Sequence, residues 1–370
     1  MSRDTHYTLD GRDYAAAAVY EIERDRLFAK EWAYAFREEL VGEAGAFRTV
    51  EVGGESLIVI RGRDGDLHAH VNVCRHRGAR LCEQESGVTK GAIKCPYHSW
   101  AYAHDGALIG TPNVGVEEID RASLSLWPAA VDVWEGFVFV NLDADAMPLR
   151  DWLGAQLDPP LRFERFDLGA LRIGRRTVSE VEANWKILID NYHECLHCPT
   201  VHPELVAIVP TYRLGAVIDP SRPDGGVALA EGGTSFTHSG RSVHPILPGM
   251  TEEESNSYFG AVVFPNMFID VTGTSAIATS LVPRSATHTT IITEYLFTAD
   301  EVADPAFDPS DVVDFSELVA RQDYDVCERV QRGVSSRAFT RGVLAEKDDM
   351  IHRYNARYLE LRGPVDGAVG

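Results

Sequence analysis

The chain has 370 residues, 45% of them apolar and 25% charged, enough apolar material for one large core or two domains. A formal net charge of -21 repels nucleic acid and anionic membrane alike, so neither is expected as a partner. No stretch reaches the roughly 18 apolar residues of a membrane span, and the N-terminal MSRDTHYTLDGRDYAAAAVY lacks an apolar signal core, so a cytoplasmic protein is expected.

In chain order, residues 15–40 (AAAAVYEIERDRLFAKEWAYAFREEL) have helical spacing, which predicts an N-terminal helical segment, 1–40, packed on the later part of the chain. From Ala46 to about Asp143 the pattern changes to short strands, with hairpin turns at Asp64-Gly65 and Asp105-Gly106. That β-rich stretch defines a domain over 41–160. A second start follows near Leu171, with a strand over 171–183 and a helix over 184–198 (NWKILIDNYHECLHC). Strands YFGAVVFPNMFIDV, TSAIATSLVPR and HTTIITEYLF come next, then helices over 310–332 and 345–361. The order predicts an α+β arrangement with a second domain over 161–370.

Six cysteines, 74, 82, 95, 195, 198 and 327, are too few and too irregular for a disulfide framework, so those beside histidines point to metal or redox work. In CRHRGARLCEQESGVTKGAIKCPYH, Cys74 pairs with His76 and Cys95 with His98, at the ends of strands. Gly78 and Pro96 let both loops bend toward one point. Two cysteines and two histidines suit tetrahedral zinc. They also suit a Rieske [2Fe-2S] cluster, with two thiolates on one iron and two imidazoles on the other; the C-x-H-R-G and C-P-Y-H-x-W surroundings favour the cluster. Cys82 has no histidine beside it and reads as a buried apolar residue.

The second half carries its own constellation. His197 and His202 lie on NYHECLHCPTVHPEL with Glu194 one helical turn before the first. On a straight helix 197 and 202 would diverge, so Pro199 is expected to break it and swing His202 back. Two histidines and one carboxylate with open positions make the facial triad of non-haem Fe(II) oxygenases. In RQDYDVCERVQRGV the carboxylate is Asp323 or Asp325. Helical phase with Cys327, Val330 and Val334 puts Asp323 on the inward stripe.

Through these three motifs the chain resembles, over nearly its whole length, the α (terminal oxygenase) subunits of the Rieske non-haem iron oxygenases. The resemblance implies an antiparallel-β Rieske domain holding [2Fe-2S] at Cys74, His76, Cys95 and His98. It also implies a helix-grip catalytic domain holding mononuclear Fe(II) at His197, His202 and Asp323. It further implies a homotrimer in which each cluster serves a neighbour's iron, with Glu194 as the bridging, catalytic carboxylate. Electrons come from an NAD(P)H-dependent reductase and/or ferredoxin, and the co-substrates are O2 and a small organic molecule; no G-x-G-x-x-G opens a nucleotide-binding unit in this chain. The motif form is most similar to the choline, glycine betaine, carnitine and proline betaine branch, departing from it at Leu196, where tyrosine is usual, and at His193. The activity implied is mono-oxygenation or oxidative N-demethylation of a small ammonium compound, the alternatives being aromatic-ring dihydroxylation and, remotely, electron transfer without catalysis. An ammonium cage would draw on Tyr212, Tyr258, Phe259, Phe264 or Phe268, because all six tryptophans precede the substrate-lining strands.

Overall fold

The computed structural model describes residues 5–115, 117–217 and 225–365. The outer ends of the expected terminal domains, 1–4 and 366–370, lie outside the described residues. Two compact units are present, one over Arg24–Trp152 and one joining the chain up to Glu23 with the chain from Leu153 onward.

The Arg24–Trp152 unit is antiparallel β. Its strands are β1 (Ala33–Arg37), β2 (Ala46–Val52), β3 (Glu55–Arg61), β4 (Leu67–Val71), β5 (Ser86–Val88), β6 (Ile93–Lys94), β7 (Ala101–Tyr102), β8 (Leu108–Gly110), β9 (Pro128–Trp134) and β10 (Phe137–Asn141). Seven form one sheet in the order β1-β10-β9-β4-β3-β2-β5, and β6-β7-β8 form a second. Both expected hairpins are there, closed alike: Asp64 and Asp105 each accept, on Oδ1, the backbone N–H two residues on. This side-chain turn is why Asp precedes Gly at such corners. The helical reading of 15–40 fails at its end. After two short helices, Gly11–Ala15 and Ala17–Glu23, and a π turn over Arg24–Phe28, the alternating aromatics of Ala33–Arg37 pair with β10 as a strand. Four of five β1 residues and all of β10 are buried, and a buried edge of Tyr34, Phe36, Phe137 and Phe139 outweighs the helix propensity of the charged residues before it.

In the other unit, β11 (Arg172–Val181), β12 (Val227–Ala228), β13 (Ser257–Val263), β14 (Met267–Val271), β15 (Ala276–Ser285) and β16 (His288–Phe297) form an antiparallel sheet in the order β11-β16-β15-β14-β13-β12. Helices α1 (Trp185–Tyr192) and α4 (Ser310–Val334) pack on it and on each other, with α2 (Cys198–Val201) and α3 (Pro203–Ile208) between them in sequence and α5 (Asp349–Arg362) after. This is the α+β, helix-grip arrangement expected. Helix α1 is anchored by charge as well as by apolar packing. Fully buried Glu23 accepts from Lys186 Nζ at 2.5 Å, Tyr358 Oη at 2.6 Å and Trp185 Nε1 at 3.0 Å, so the buried carboxylate is satisfied at both oxygens. Removing one member of such a buried pair costs roughly 3–5 kcal/mol.

Candidate metal centres and substrate cavity

The loops bearing Cys74 and Cys95 are built on the same backbone plan. Cys74 N–H donates to Ala79 O and Cys95 N–H to Trp100 O, each at 2.8 Å, while Gly78 N–H and Ser99 N–H return to the Cys74 and Cys95 carbonyls at 3.0 and 3.1 Å. The residue four after each cysteine therefore sits at positive φ, +73° at Gly78 and +58° at Ser99. The two cysteines are buried. His76 is exposed and His98 half-buried, with ring centroids 4.6 Å apart, His76 lying flat on Trp100. Burial raises the Cys95 thiol pKa, while N–H groups of Tyr97 and His98 aimed at its sulfur work against that. Donors of that kind suit a cluster sulfur. The first loop hangs from Asn72, fully buried, whose Oδ1 accepts from Leu81 and Cys82 N–H and whose Nδ2 donates to Cys82 O. Tyr102 Oη lies 3.3 Å from Cys74 Sγ and accepts from Arg75 N–H. Cys82 is buried, its thiol pushed up to about 11 by burial.

The second donor set assembles differently. Helix α1 ends at Tyr192 with His193 as its cap, earlier than the sequence predicts, and a turn closed by Cys198 N–H on Cys195 O follows. Cys195 and Cys198 are joined by a disulfide across this turn, a link the cysteine spacing did not suggest. Pro199 does not break a helix; it opens α2, where its missing N–H is harmless. His202 follows at the junction of α2 and α3. His197, His202 and Asp323 each offer a ligand atom within 4.8 Å of the others, His202 Nε2 at 2.8 Å and His197 Nε2 at 3.3 Å from Asp323 Oδ1. Both rings are aimed by a second partner. His197 Nδ1 meets Glu194 Oε1 at 2.5 Å, and His202 Nδ1 meets Gln322 Oε1 at 2.8 Å, which leaves both Nε2 atoms for a shared cation. Burial disfavours a charged His197, but hydrogen bonds to Asp323 and Glu194 push its pKa up to about 9. Asp325 is exposed on the far side of α4. Val330 is exposed too, contrary to the expected stripe, and Gln331 takes the inward place, accepting from Asn184 N–H and donating to Tyr14 O. His193 is buried against Tyr354, and burial lowers its pKa to about 3, so it stays neutral.

The three donors open onto a cavity of about 200 Å³ between the sheet and helices α1 and α4. Strand parity selects its lining: Tyr258 from β13, Phe268 and Asp270 from β14, Ile277 and Thr279 from β15. Of the aromatics expected around a substrate, Tyr212, Tyr258 and Phe268 face the cavity. Phe259 and Phe264 do not: Phe259, on the opposite face of β13, packs on Phe166, and Phe264, just past the end of that strand, packs on Trp185. Tyr192 and Phe236 join the wall, Tyr192 stacked 4.4 Å from Phe268 and Phe236 4.9 Å from Tyr258.

Within this wall stands a carboxylate that sequence reasoning missed. Asp270 Oδ1 accepts from both Tyr192 Oη and Tyr258 Oη at 2.6 Å. Burial pushes its pKa up to about 6 against the lowering effect of those bonds. Opposite it, Gly260 is required by space: a Cβ there would lie 2.1 Å from Tyr258 Oη and 2.7 Å from Tyr192 Oη. The one available signal was an Asp interrupting the apolar alternation of NMFIDV.

Comparisons with known proteins agree with this geometry. Residues 31–122 match the family described as the Rieske [2Fe-2S] domain, and residues 168–362 match the ring hydroxylating alpha subunit (catalytic domain). The chain is 30% identical over 345 residues to the carnitine monooxygenase oxygenase subunit of Acinetobacter pittii, covering 91% of this chain and 87% of that one. It is 28% identical over 372 residues to the glycine betaine monooxygenase oxygenase subunit of Pseudomonas aeruginosa, covering 92% and 85%. Among solved structures it resembles a quaternary ammonium Rieske monooxygenase described in terms of carnitine oxidation and inter-subunit electron transfer, with a TM-score of 0.80, 25% identity and 97% and 96% of the two chains covered.

Proposed function

Since the chain belongs to the ring-hydroxylating α subunits that carry a Rieske [2Fe-2S] domain, iron-dependent oxygenases fed by a reductase or ferredoxin, we propose that it hydroxylates an N-methyl carbon of a small substituted ammonium ion. The balance is one O2, two electrons and two protons in, one water and an N-hydroxymethyl product out; that product then releases formaldehyde, a proton and the demethylated amine. The observation that carries this reading is Asp270. A carboxylate set in an aromatic wall, in the cavity that His197, His202 and Asp323 face, gives a cation both a counter-charge and π faces. An uncharged arene would leave that carboxylate without a counter-charge, held by the two phenols alone.

In this reading Cys74, His76, Cys95 and His98 hold the [2Fe-2S] cluster, and His197, His202 and Asp323 hold the mononuclear iron. The cluster supplies single electrons and the iron activates O2 when bound. The chain's own work is positional. Glu194 and Gln322 fix the tautomers of the two histidines, Asp270 with Tyr192 and Tyr258 fixes the ammonium, and Leu188, Ile277 and Val319 keep water from the reacting carbon. Three copies form a ring in which a cluster serves its neighbour's iron, with Glu194 joining His197 to a cluster histidine across the interface, as the similarity to a protein with inter-subunit electron transfer supports.

The test is product analysis by mass spectrometry, with the reduced, metal-loaded chain, O2 and a panel of methylammonium and aromatic compounds. The expected result is demethylated amine with matching formaldehyde. Oxidation of aromatic compounds alone would overturn the reading.

A further inference from the structure

Resting on the reading above that His197, His202 and Asp323 hold the mononuclear metal, we infer that Cys198 is a latent fourth ligand of that metal. Its sulfur is kept off while tied to Cys195 and released onto the metal when a dithiol reduces the pair. The two cysteines flank His197, and both line the cavity that the three donors face. Cys198 Sγ lies 3.8 Å from His197 Nε2, the ring atom turned to Asp323 and the metal position. Two ligands at about 2.1 and 2.3 Å from one ion lie roughly 3.1–3.8 Å from each other, so that sulfur already stands near the spacing of a neighbouring ligand. Within a disulfide it has no thiolate to offer, and thiolate is the form that binds metal.

The turn does not depend on the disulfide alone. Glu194 Oε2 accepts from His197 N–H at 3.3 Å and also from Leu196 N–H, while Cys198 N–H donates to Cys195 O at 3.2 Å and His202 N–H to Cys198 O at 2.9 Å. Reduction therefore frees the sulfurs and leaves the backbone that carries both histidines in place. The sulfurs are buried but line the cavity, and Leu196 and Pro199 beside them are exposed, so a small dithiol has a way in. The exchange balances as one disulfide and one dithiol giving two protein thiols and the reductant's own disulfide. The Cys198 thiol then gives its proton to solvent and its sulfur to the metal. Two histidines and a carboxylate leave open positions on iron, and a thiolate fills one of those that O2 needs. The reduced pair thus holds the site closed to O2, and reverse exchange with a small disulfide reopens it.

The test uses the full chain with its cluster in place and Co(II) at the mononuclear site, read by X-ray absorption at the cobalt edge, to which the cluster's iron is silent. Native protein is treated with dithiothreitol or left untreated, then denatured, alkylated and weighed by mass spectrometry. The untreated chain should carry four modified cysteines and the treated chain all six. Cobalt should show only nitrogen and oxygen neighbours before treatment, and one sulfur at about 2.3 Å after it. Cys195→Ser leaves Cys198 without its partner and should show that sulfur untreated, whereas Cys198→Ser should show none in either state. Cobalt content equal to the parent's and an unchanged circular dichroism spectrum would show that the variants are folded. Six modified cysteines with no sulfur on cobalt overturn the inference, as does a count that stays at four after treatment. A sulfur that persists in Cys198→Ser, from Cys195 or Cys327, overturns it too. If the parent takes up no cobalt, or Asp323→Ala takes up as much as the parent, the underlying metal reading fails, and the inference with it.

Discussion

The two donor sets of this chain are held in place by different means. Around Cys74 and Cys95 the backbone does the positioning, through two loops that close on themselves with the same pair of main-chain hydrogen bonds and the same positive-φ residue four places on. Around His197 and His202 no such pair of matching backbone loops is found among the described residues. Their carboxylate partner comes from a helix 121 residues beyond His202, and each imidazole is aimed by a separate side chain. A site made by local backbone leaves its spacing in the sequence. A site made by packing leaves only residue types, and its geometry depends on every element that sets the helix and sheet in place.

The contrast is sharpest for the donors themselves. Cys95→Ser should abolish the cluster, measured as loss of its two irons, its two acid-labile sulfides and the visible spectrum, while the mononuclear iron remains. Asp323→Ala should do the converse, losing mononuclear iron and turnover with the cluster spectrum intact, and Asp325→Ala should do neither because Asp325 is exposed. Loss of mononuclear iron from Asp325→Ala would move the site to another face of α4. A smaller effect is expected at Glu194. Glu194→Gln keeps a hydrogen bond to His197 but not the charge, so both metals should stay, and electron passage from the reduced cluster should slow by about tenfold or more, as loss of an outer-shell carboxylate does. Single-turnover kinetics within about twofold of the parent would show that the bridge lies elsewhere.

Asp270 adds a pH signature to the packed site alone. Burial raises its pKa to about 6, and its neighbours Tyr192, Tyr258 and Tyr212 have phenols raised by burial, so they stay neutral throughout. In the proposed reading the ionised carboxylate binds the cation. KM should therefore be flat above about pH 6 and climb by roughly tenfold per unit below it, with kcat changing less. Asp270→Asn should remove that acid limb. The smallest effect belongs to the loops: a Cβ at Gly78 would touch nothing, so Gly78→Ala measures backbone strain only. It should cost roughly 1–2 kcal/mol of unfolding free energy in that unit, read by denaturant titration. No change would mean that the loop does not depend on its left-handed residue.

Much of this was legible beforehand, and the misses share a cause. The hairpins at Asp64 and Asp105, the long strands and the helix over Ser310–Val334 follow from turn chemistry and periodicity, which are local. The strand at Ala33–Arg37 was hidden behind charged, helix-favouring residues and exists because β10 offers it a buried partner. Val330 is exposed where the stripe put it inside, and Gln331 is buried beside it because Asn184 and Tyr14 satisfy its amide. Asn72, Gln322 and Asp270 were invisible for the same reason. Each is polar, each is fixed by partners distant in sequence, and nothing in its neighbours announces which face of a strand or helix it will occupy.

The central claim is that a carboxylate in an aromatic wall presents a methylammonium carbon to the iron site. It is tested most directly by one turnover of the fully reduced, metal-loaded protein with butyltrimethylammonium and O2, product being counted against mononuclear iron. The account predicts demethylated amine in an amount close to that of the iron, falling sharply in Asp270→Asn at the same substrate concentration. Oxidation of the cluster with no amine formed, or equal yields from parent and variant, would contradict it.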